Sequence, residues 1–399
     1  GLSVISITAN AATIFISGNY EYTVNSDDTV NIAGYKGIAT DITIPSQILN
    51  KNVVKISDNS FYNNSTLTSV KIPNTIKVVG SMAFHNCTKL SKVTLPSNLT
   101  EIGYNASEGT TALTTITIPK TVTTAGNNVF NGSALKTAAI ENGATAVADN
   151  LFSNAKNLTK VTIPNTVKKV GSMSFYGCKS LSSVTLPNTL TEIGYSAFNG
   201  TTALTTITIP KTVTKAGIDV FEDSGLKTAT IENGATTVAD NLFSNAKNLT
   251  KVTIPNTVKK VGSMSFYGCK SLSSVTLPNT LTEIGYSAFN GTTALTTITI
   301  PKTVTKAGID VFEDSGLKTA IIENGATSVP NNLFSKATNL TQITIPNTVK
   351  KIGSMSFYDC TKLSSVTLPN TLTSIETSAF KNCQAMKSIT IPKSVTYFG

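Results

Sequence analysis

Leu158-Thr159-Lys160-Val161-Thr162-Ile163-Pro164-Asn165-Thr166-Val167-Lys168-Lys169-Val170-Gly171-Ser172-Met173-Ser174-Phe175-Tyr176-Gly177-Cys178 is the stretch that decides the fold. Val161 and Ile163 alternate with Lys160 and Thr162, the period of two that sends one set of side chains inward and the other to solvent. Pro164 has no N–H to continue a ladder, so a short strand is predicted to stop there. A second extended piece is expected at Val167 to Val170. Gly171 then permits a corner with positive φ, and Ser174-Phe175 is expected to begin a tight helical or 3₁₀ turn that plugs its Phe into the core.

The same pattern returns throughout the chain. Asn157 to Ala229 recurs unchanged as Asn248 to Ala320, an offset of 91 that also relates Leu67, Leu158, Leu249 and Leu340. Within it Leu158, Leu181, Leu204, Leu226 and Leu249 lie 23, 23, 22 and 23 residues apart. The unit is therefore about 23 residues, the copied module is four units, and a period of this size marks a solenoid. Pro73, Pro96, Pro119, Pro164, Pro187, Pro210, Pro255, Pro278, Pro301, Pro346, Pro369 and Pro392 all follow the first strand, and Glu141, Glu232 and Glu323 take that place in every fourth unit. A Phe column runs from Phe61 to Phe380 and is interrupted at Ser107, where the coil is expected to be under-packed.

Composition narrows the chemistry. The 399 residues are 40% hydrophobic and 14% charged, against roughly 25% charged in an average soluble protein. About one residue in six is Thr, there is no Trp, and all 32 basic residues are Lys. A net charge of +10 without a single guanidinium fork argues against nucleic acid as a partner. No run of 18 apolar residues occurs, so no membrane insertion is expected in this segment. The mildly apolar Leu2 to Ala11 reads either as the tail of a secretory signal or as a first strand.

The repeated Leu-x-x-Ile/Val-x-Ile-Pro-x-x-Val-x-x-Ile/Val-Gly-x-x-Ala/Ser-Phe-x-x-Cys resembles the 23-residue leucine-rich repeat of BspA-like bacterial surface proteins, over residues 42–399. Residues 19–41, with Tyr20 to Val24, a turn at Ser26-Asp27-Asp28 and Thr29 to Ala33, resemble the β-hairpin that precedes such arrays. The expectation is thus a right-handed leucine-rich-repeat solenoid of about 16 coils (42–399), with an N-terminal segment and β-hairpin cap at 1–41 covering the first core cross-section and strand edge. The Asn ladder of the most familiar leucine-rich repeats is missing. The resemblance implies a secreted or surface-attached protein that contacts host or matrix proteins, and composition alone does not show that.

Candidate chemistry is sparse. His85 is the only histidine, and Tyr176, Tyr267 and Tyr358 hold its column, so it reads as a turn residue. Cys87, Cys178, Cys269 and Cys360 stand four coils apart, roughly 19 Å, too far for disulfides; Cys360 and Cys383 are the one pair in adjacent coils. All five read as small core residues. Asp219, Glu222 and Asp223, repeated as Asp310, Glu313 and Asp314, offer carboxylates to calcium or a glycosidase-like pair, but a solvated acidic turn is the preferred reading. A catalytic site is a unique constellation, whereas most polar groups here exist in two to four copies. No catalytic residue, metal site or cofactor is therefore expected, and no binding residue is singled out.

Two outward columns remain. Thr162, Thr185, Thr208, Thr230 and their equivalents predict a threonine ladder on the first strand, which the β-propensity of Thr explains without an ice-like ligand. On the second, Lys169, Glu192, Lys215 and again Lys260, Glu283, Lys306 should alternate in sign. The reading is a monomeric, extracellular or cell-surface, non-enzymatic protein-binding protein. The alternatives from other classes are a passive stalk displaying another domain and a glycan-binding accessory module.

Overall fold

The computed structural model describes residues 12–399, so the Leu2 to Ala11 stretch lies outside the described residues. The chain forms two compact units, one running to Ala144 and taking in Asn150–Leu158, the other made of Thr145–Asp149 and Thr159–Gly399. Each is a parallel-strand solenoid built on the 23-residue period, and the chain contains about 16 turns.

In the first unit β1 (Phe15–Ser17), β2 (Tyr20–Val24) and β3 (Val30–Tyr35) form an antiparallel meander. β4 (Asp41–Thr43) pairs in parallel with Ser69–Lys71, and β5 (Gln47–Ile48) folds back on β6 (Lys51–Ile56). β3 also pairs in parallel with β6, so the hairpin occupies the ladder edge of the first coils. Its rings continue the core: Tyr20 packs on Tyr35, Tyr35 on Phe61, and Phe61 stacks on Phe84 at 5.1 Å. Burial, with Tyr35 nearby, pushes the Tyr20 phenol up to about 12.

The second unit repeats one arrangement. Thr206–Ile209, Thr228–Ile231 and Lys251–Thr253 pair in parallel, as do Thr297–Ile300, Thr319–Ile322 and Gln342–Thr344. The alternation places side chains as expected: Val161, Ile163, Ile207 and Ile209 are buried, while Thr162, Thr185 and Thr208 are exposed. Phe175, Phe198, Phe221, Phe243, Phe266 and Phe289 stack with centroids 5.2–5.8 Å apart and exclude water from the centre. Truncating one such ring to Ala removes about 3–5 kcal/mol of packing.

The helical or 3₁₀ turn does not form; among the described residues no helix is present. Two residues per coil are left-handed instead, Met173 (φ 53°) and Gly177 (φ 67°) around Phe175, Ser196 (φ 49°) and Gly200 (φ 73°) around Phe198. They direct alternate N–H groups along the stack: Met173 donates to Tyr195, Phe175 to Ala197 and Gly177 to Asn199 at 2.8–2.9 Å. The Tyr176 and Cys178 N–H groups turn back to Met173 and Phe175 within the coil at 3.1 Å. A helix uses every interior N–H within itself, so a segment that spends half of them on the next coil cannot be one.

Gly171 is a second correction, because it is absent from the left-handed positions. A Cβ there would lie 2.6 Å from the Asp149 amide nitrogen and the Val147 carbonyl oxygen, so close approach of backbones is what requires glycine. Where Glu replaces Pro it does structural work: Glu232 Oε2 accepts from the Lys211 N–H at 3.0 Å, and Glu141 and Glu323 do the same for Lys120 and Lys302.

Candidate functional site

His85 sits where the repeat places it, beside the Phe column and half out of the core. Its ring stacks on Tyr62 with centroids 5.0 Å apart, and Nδ1 lies 3.3 Å from Glu108. Glu108 in turn accepts from Asn131 at 2.7 Å. This is a ladder of outward side chains, one per coil, with no nucleophile delivered to it.

Each acidic turn is neutralised from the next coil. Lys247 lies 3.0 Å from Asp223 and 3.6 Å from Glu222, while Asn245 donates to Asp219 at 2.8 Å. In the second copy Lys336 replaces Asn245 and lies 3.2 Å from both Asp310 and Glu313. The two lysines reach equivalent carboxylates from different positions, and these cross-coil pairs raise the pKa of both amines. Among the described residues no group of three or more His, Cys, Asp or Glu is placed to hold a metal ion.

The five cysteines are buried and form no disulfide among the described residues. Cys87, Cys269, Cys360 and Cys383 donate Sγ–H to the Phe61, Phe243, Phe334 and Phe357 carbonyls of the preceding coil at 3.0–3.2 Å. At the equivalent place Thr201 and Ser224 donate to their own coil's Phe198 and Phe221 carbonyls at 2.6 Å. The column therefore selects a small donor rather than a reactive thiol. Burial pushes Cys87 up to about 12 and Cys383 up to about 11, which leaves little thiolate at neutral pH.

Two outward faces of the second unit offer binding surface. On the first-strand face Thr185, Thr206, Thr208, Thr228, Thr230 and Glu232 line a depression of about 490 Å³. One module later Thr276, Thr297, Thr299 and Glu323 line its counterpart of about 290 Å³. Ile321 stands where Thr230 does, 36% exposed, so the copies differ by one outward side chain beside the depression. On the second-strand face the sign alternation forms: Lys169 lies 3.0 Å from Glu192 and Lys260 3.0 Å from Glu283. Lys215 and Lys306 flank the same glutamates on the other side and make no ion pair among the described residues. A groove of about 710 Å³ runs there, lined by Glu283, Tyr286, Lys306, Asn331 and Lys351. Tyr286 lines this groove, and the exposed Tyr195, Ile218 and Ile309 hold the same corner position in other coils; they escaped the sequence reading, although apart from Tyr104 the other coils carry short side chains such as Ser172, Asp240 and Ser263 there.

Residues 39–159, 145–272, 236–363 and 327–399 match the family described as BspA type leucine-rich repeat region. A solved leucine-rich repeat protein from Bacteroides ovatus is 25% identical, with a TM-score of 0.53, covering 96% of this chain and 90% of that one. A leucine-rich cell surface protein from Faecalibacterium prausnitzii is 29% identical at a TM-score of 0.42, over 84% of this chain and 95% of that one. A leucine-rich repeat protein from Eubacterium ventriosum is 26% identical at 0.42, over 98% and 94%. Among curated proteins none matches.

Proposed function

The chain belongs to the BspA-type leucine-rich repeat family, and we propose that it is a non-enzymatic, extracellular or cell-surface protein that binds host or matrix proteins, as an adhesin does. The observation that carries this reading is recurrence: the depression at Thr206, Thr208 and Glu232 returns at Thr297, Thr299 and Glu323. A duplicated patch raises avidity for a multivalent ligand without new contacts, whereas a duplicated catalytic centre would need its reacting groups brought together in each copy. The titratable side chains support the same view, since the acidic turns are engaged by lysines and the thiols by carbonyls. The hairpin of β1 to β3 serves in this proposal as a cap, holding the β6 edge against pairing with another chain.

Deleting residues 158–248 joins Asn157 to Leu249 in the same repeat register and tests the proposal. The shortened chain is expected to fold and to keep its affinity for a soluble monovalent fragment. Its avidity for an immobilised panel of matrix proteins and glycans, read by biosensor, should fall. Unchanged avidity would move the site out of the copied modules. Absence of any ligand for the intact chain would favour the passive stalk, and glycans alone would favour the accessory module.

A further inference from the structure

Three residues before each Phe the chain turns a corner, and a short polar side chain there caps the next coil. Asp240 accepts from the Ser263 N–H at 2.8 Å, Asn331 from Ser354 at 2.9 Å, and Ser81 Oγ from Tyr104 at 3.2 Å. At Tyr195 and Ile218, and again at Tyr286 and Ile309, this short polar cap is replaced by large side chains that stand 45–49% exposed. They give little to the core, so stability does not account for them.

Within each pair the two side chains come from adjacent coils held at backbone contact. A Cβ on Gly217 would lie 2.4 Å from the Tyr195 amide nitrogen, and Gly308 meets Tyr286 in the same way. The coil that carries Ile218 also carries Lys215, and the coil of Ile309 carries Lys306, the two lysines left without an ion pair among the described residues because Glu192 and Glu283 are held by Lys169 and Lys260. An exposed apolar pair beside a surplus cation is thus built twice, four coils or about 19 Å apart.

We propose that Tyr195–Ile218–Lys215 and Tyr286–Ile309–Lys306 are two docking sites for an extended, acidic segment of a partner protein. Apolar side chains of the partner cover the Tyr–Ile pair, and its carboxylates meet the lysine. Tyrosine supplies large, stiff contact area at small entropic cost, and the compact ammonium selects for charge rather than for a planar fork. The second site is the more cationic, since Asn331 stands where Asp240 stands beside the first. The inference rests on the protein-binding reading above and narrows its partner to acidic segments.

The test uses the full chain and a fluorescein-labelled synthetic peptide alternating Glu with Phe and Leu. Two controls replace its Glu by Lys, or its Phe and Leu by Ser. Heparin serves as a competing class, and the matrix-protein panel is run in parallel. Anisotropy titration is expected to show binding of the first peptide alone, weakened about tenfold between low and high salt. Tyr286→Ser and Lys306→Gln should each weaken it about fivefold or more at the second site, and Asp240→Asn should tighten the first. All these positions are exposed, and an unchanged thermal midpoint confirms that fold is intact. Equal binding of the Lys peptide, indifference to Tyr286→Ser and Lys306→Gln together, or binding of heparin alone overturns the proposal. If panel proteins still bind a chain in which both sites are removed, with Tyr195→Ser and Lys215→Gln added to Tyr286→Ser and Lys306→Gln, the docking sites fall while the wider binding reading stands; if neither panel nor peptide binds the intact chain, both fall.

Discussion

Residues 101–120 and 192–211 are nearly the same coil, yet one carries Ser107 where the other carries Phe198. Phe198 stacks between Phe175 and Phe221 at 5.2 and 5.5 Å. Around Ser107 the column is broken, and a cavity of about 10 Å³ remains among Phe84, Ser107, Ile116 and Phe130, room for one water at most. The backbone does not register the difference: Ser107 donates to Val129 and Phe198 to Val220, both at 2.9 Å, and Asn105 and Ser196 are both left-handed. Coil geometry is therefore set by the inter-coil ladder and the left-handed corners, and the ring supplies stability on top of a path already fixed.

The largest effect should come from imposing the first state on the second. Phe198→Ser is expected to cost about 3–5 kcal/mol, felt in the coils of Phe175 and Phe221 and fading beyond them, because a solenoid couples neighbours only. Hydrogen exchange at the amide of residue 198, whose N–H donates to the Val220 carbonyl, reads this locally. The neighbouring Tyr267→Ala, on a half-exposed outward ring, should cost well under half as much as Phe266→Ala. Equal losses would contradict the division into inward and outward columns.

The reverse substitution sharpens the comparison. Phe84 and Phe130 lie two coils, about 10 Å, apart, the thickness that one ring fills elsewhere. Only about 10 Å³ is left beside Ser107, so Ser107→Phe is expected to cost about 1–3 kcal/mol, because the new ring must force Val93, Leu95 and Ile116 apart. A gain in denaturant unfolding would mean that these side chains yield and that the column closes over the new ring.

These positions also show what was legible. The 23-residue period, the inward Val161 and Ile163, the gap at Ser107 and the alternation of Lys169 with Glu192 could all be read, because each is a property of side-chain type repeated in one column. The corners could not be read from Met173 or Ser196, residues with no left-handed preference. Their column holds Asn59, Asn105, Asn128, Asn150, Asp219 and Asn241 in other coils, all left-handed, and that was the available signal. Gly171 misled for the opposite reason, since glycine serves close approach as readily as positive φ. The Tyr195–Ile218 pair was illegible until the coil fixed which corner faces solvent.

A smaller test lies one coil earlier, where Ala83 precedes Phe84 and Ser174 precedes Phe175. Ser174 is fully buried and its Oγ has no hydrogen-bond partner among the described residues. An unpaired buried hydroxyl costs about 1–3 kcal/mol, part of which a backbone carbonyl or a buried water can return. Ser174→Ala should therefore stabilise by about 1 kcal/mol, and the coil at Ala83 shows that the smaller side chain fits. A destabilised variant in thermal unfolding would reveal a partner for that hydroxyl in solution.

The smallest effect separates Glu101 from Glu192, the first residues of the two compared coils. Glu101 lies in register between Val78 and Thr124, and Glu192 between Lys169 and Lys215. Of the two, only Glu192 has an ion pair among the described residues, with Lys169 at 3.0 Å, and both partners are more than a third exposed. Solvent screens such a pair, so Glu192→Gln should cost about 0.2–1 kcal/mol and Glu101→Gln about zero. The pair raises the Lys169 pKa, so its contribution is complete below the ordinary lysine value and is lost as pH climbs through the raised one. Chemical unfolding of both variants at low salt should resolve the difference, and about 1 M salt should erase it. A difference that survives salt would show that Glu192 holds its coil by something other than charge.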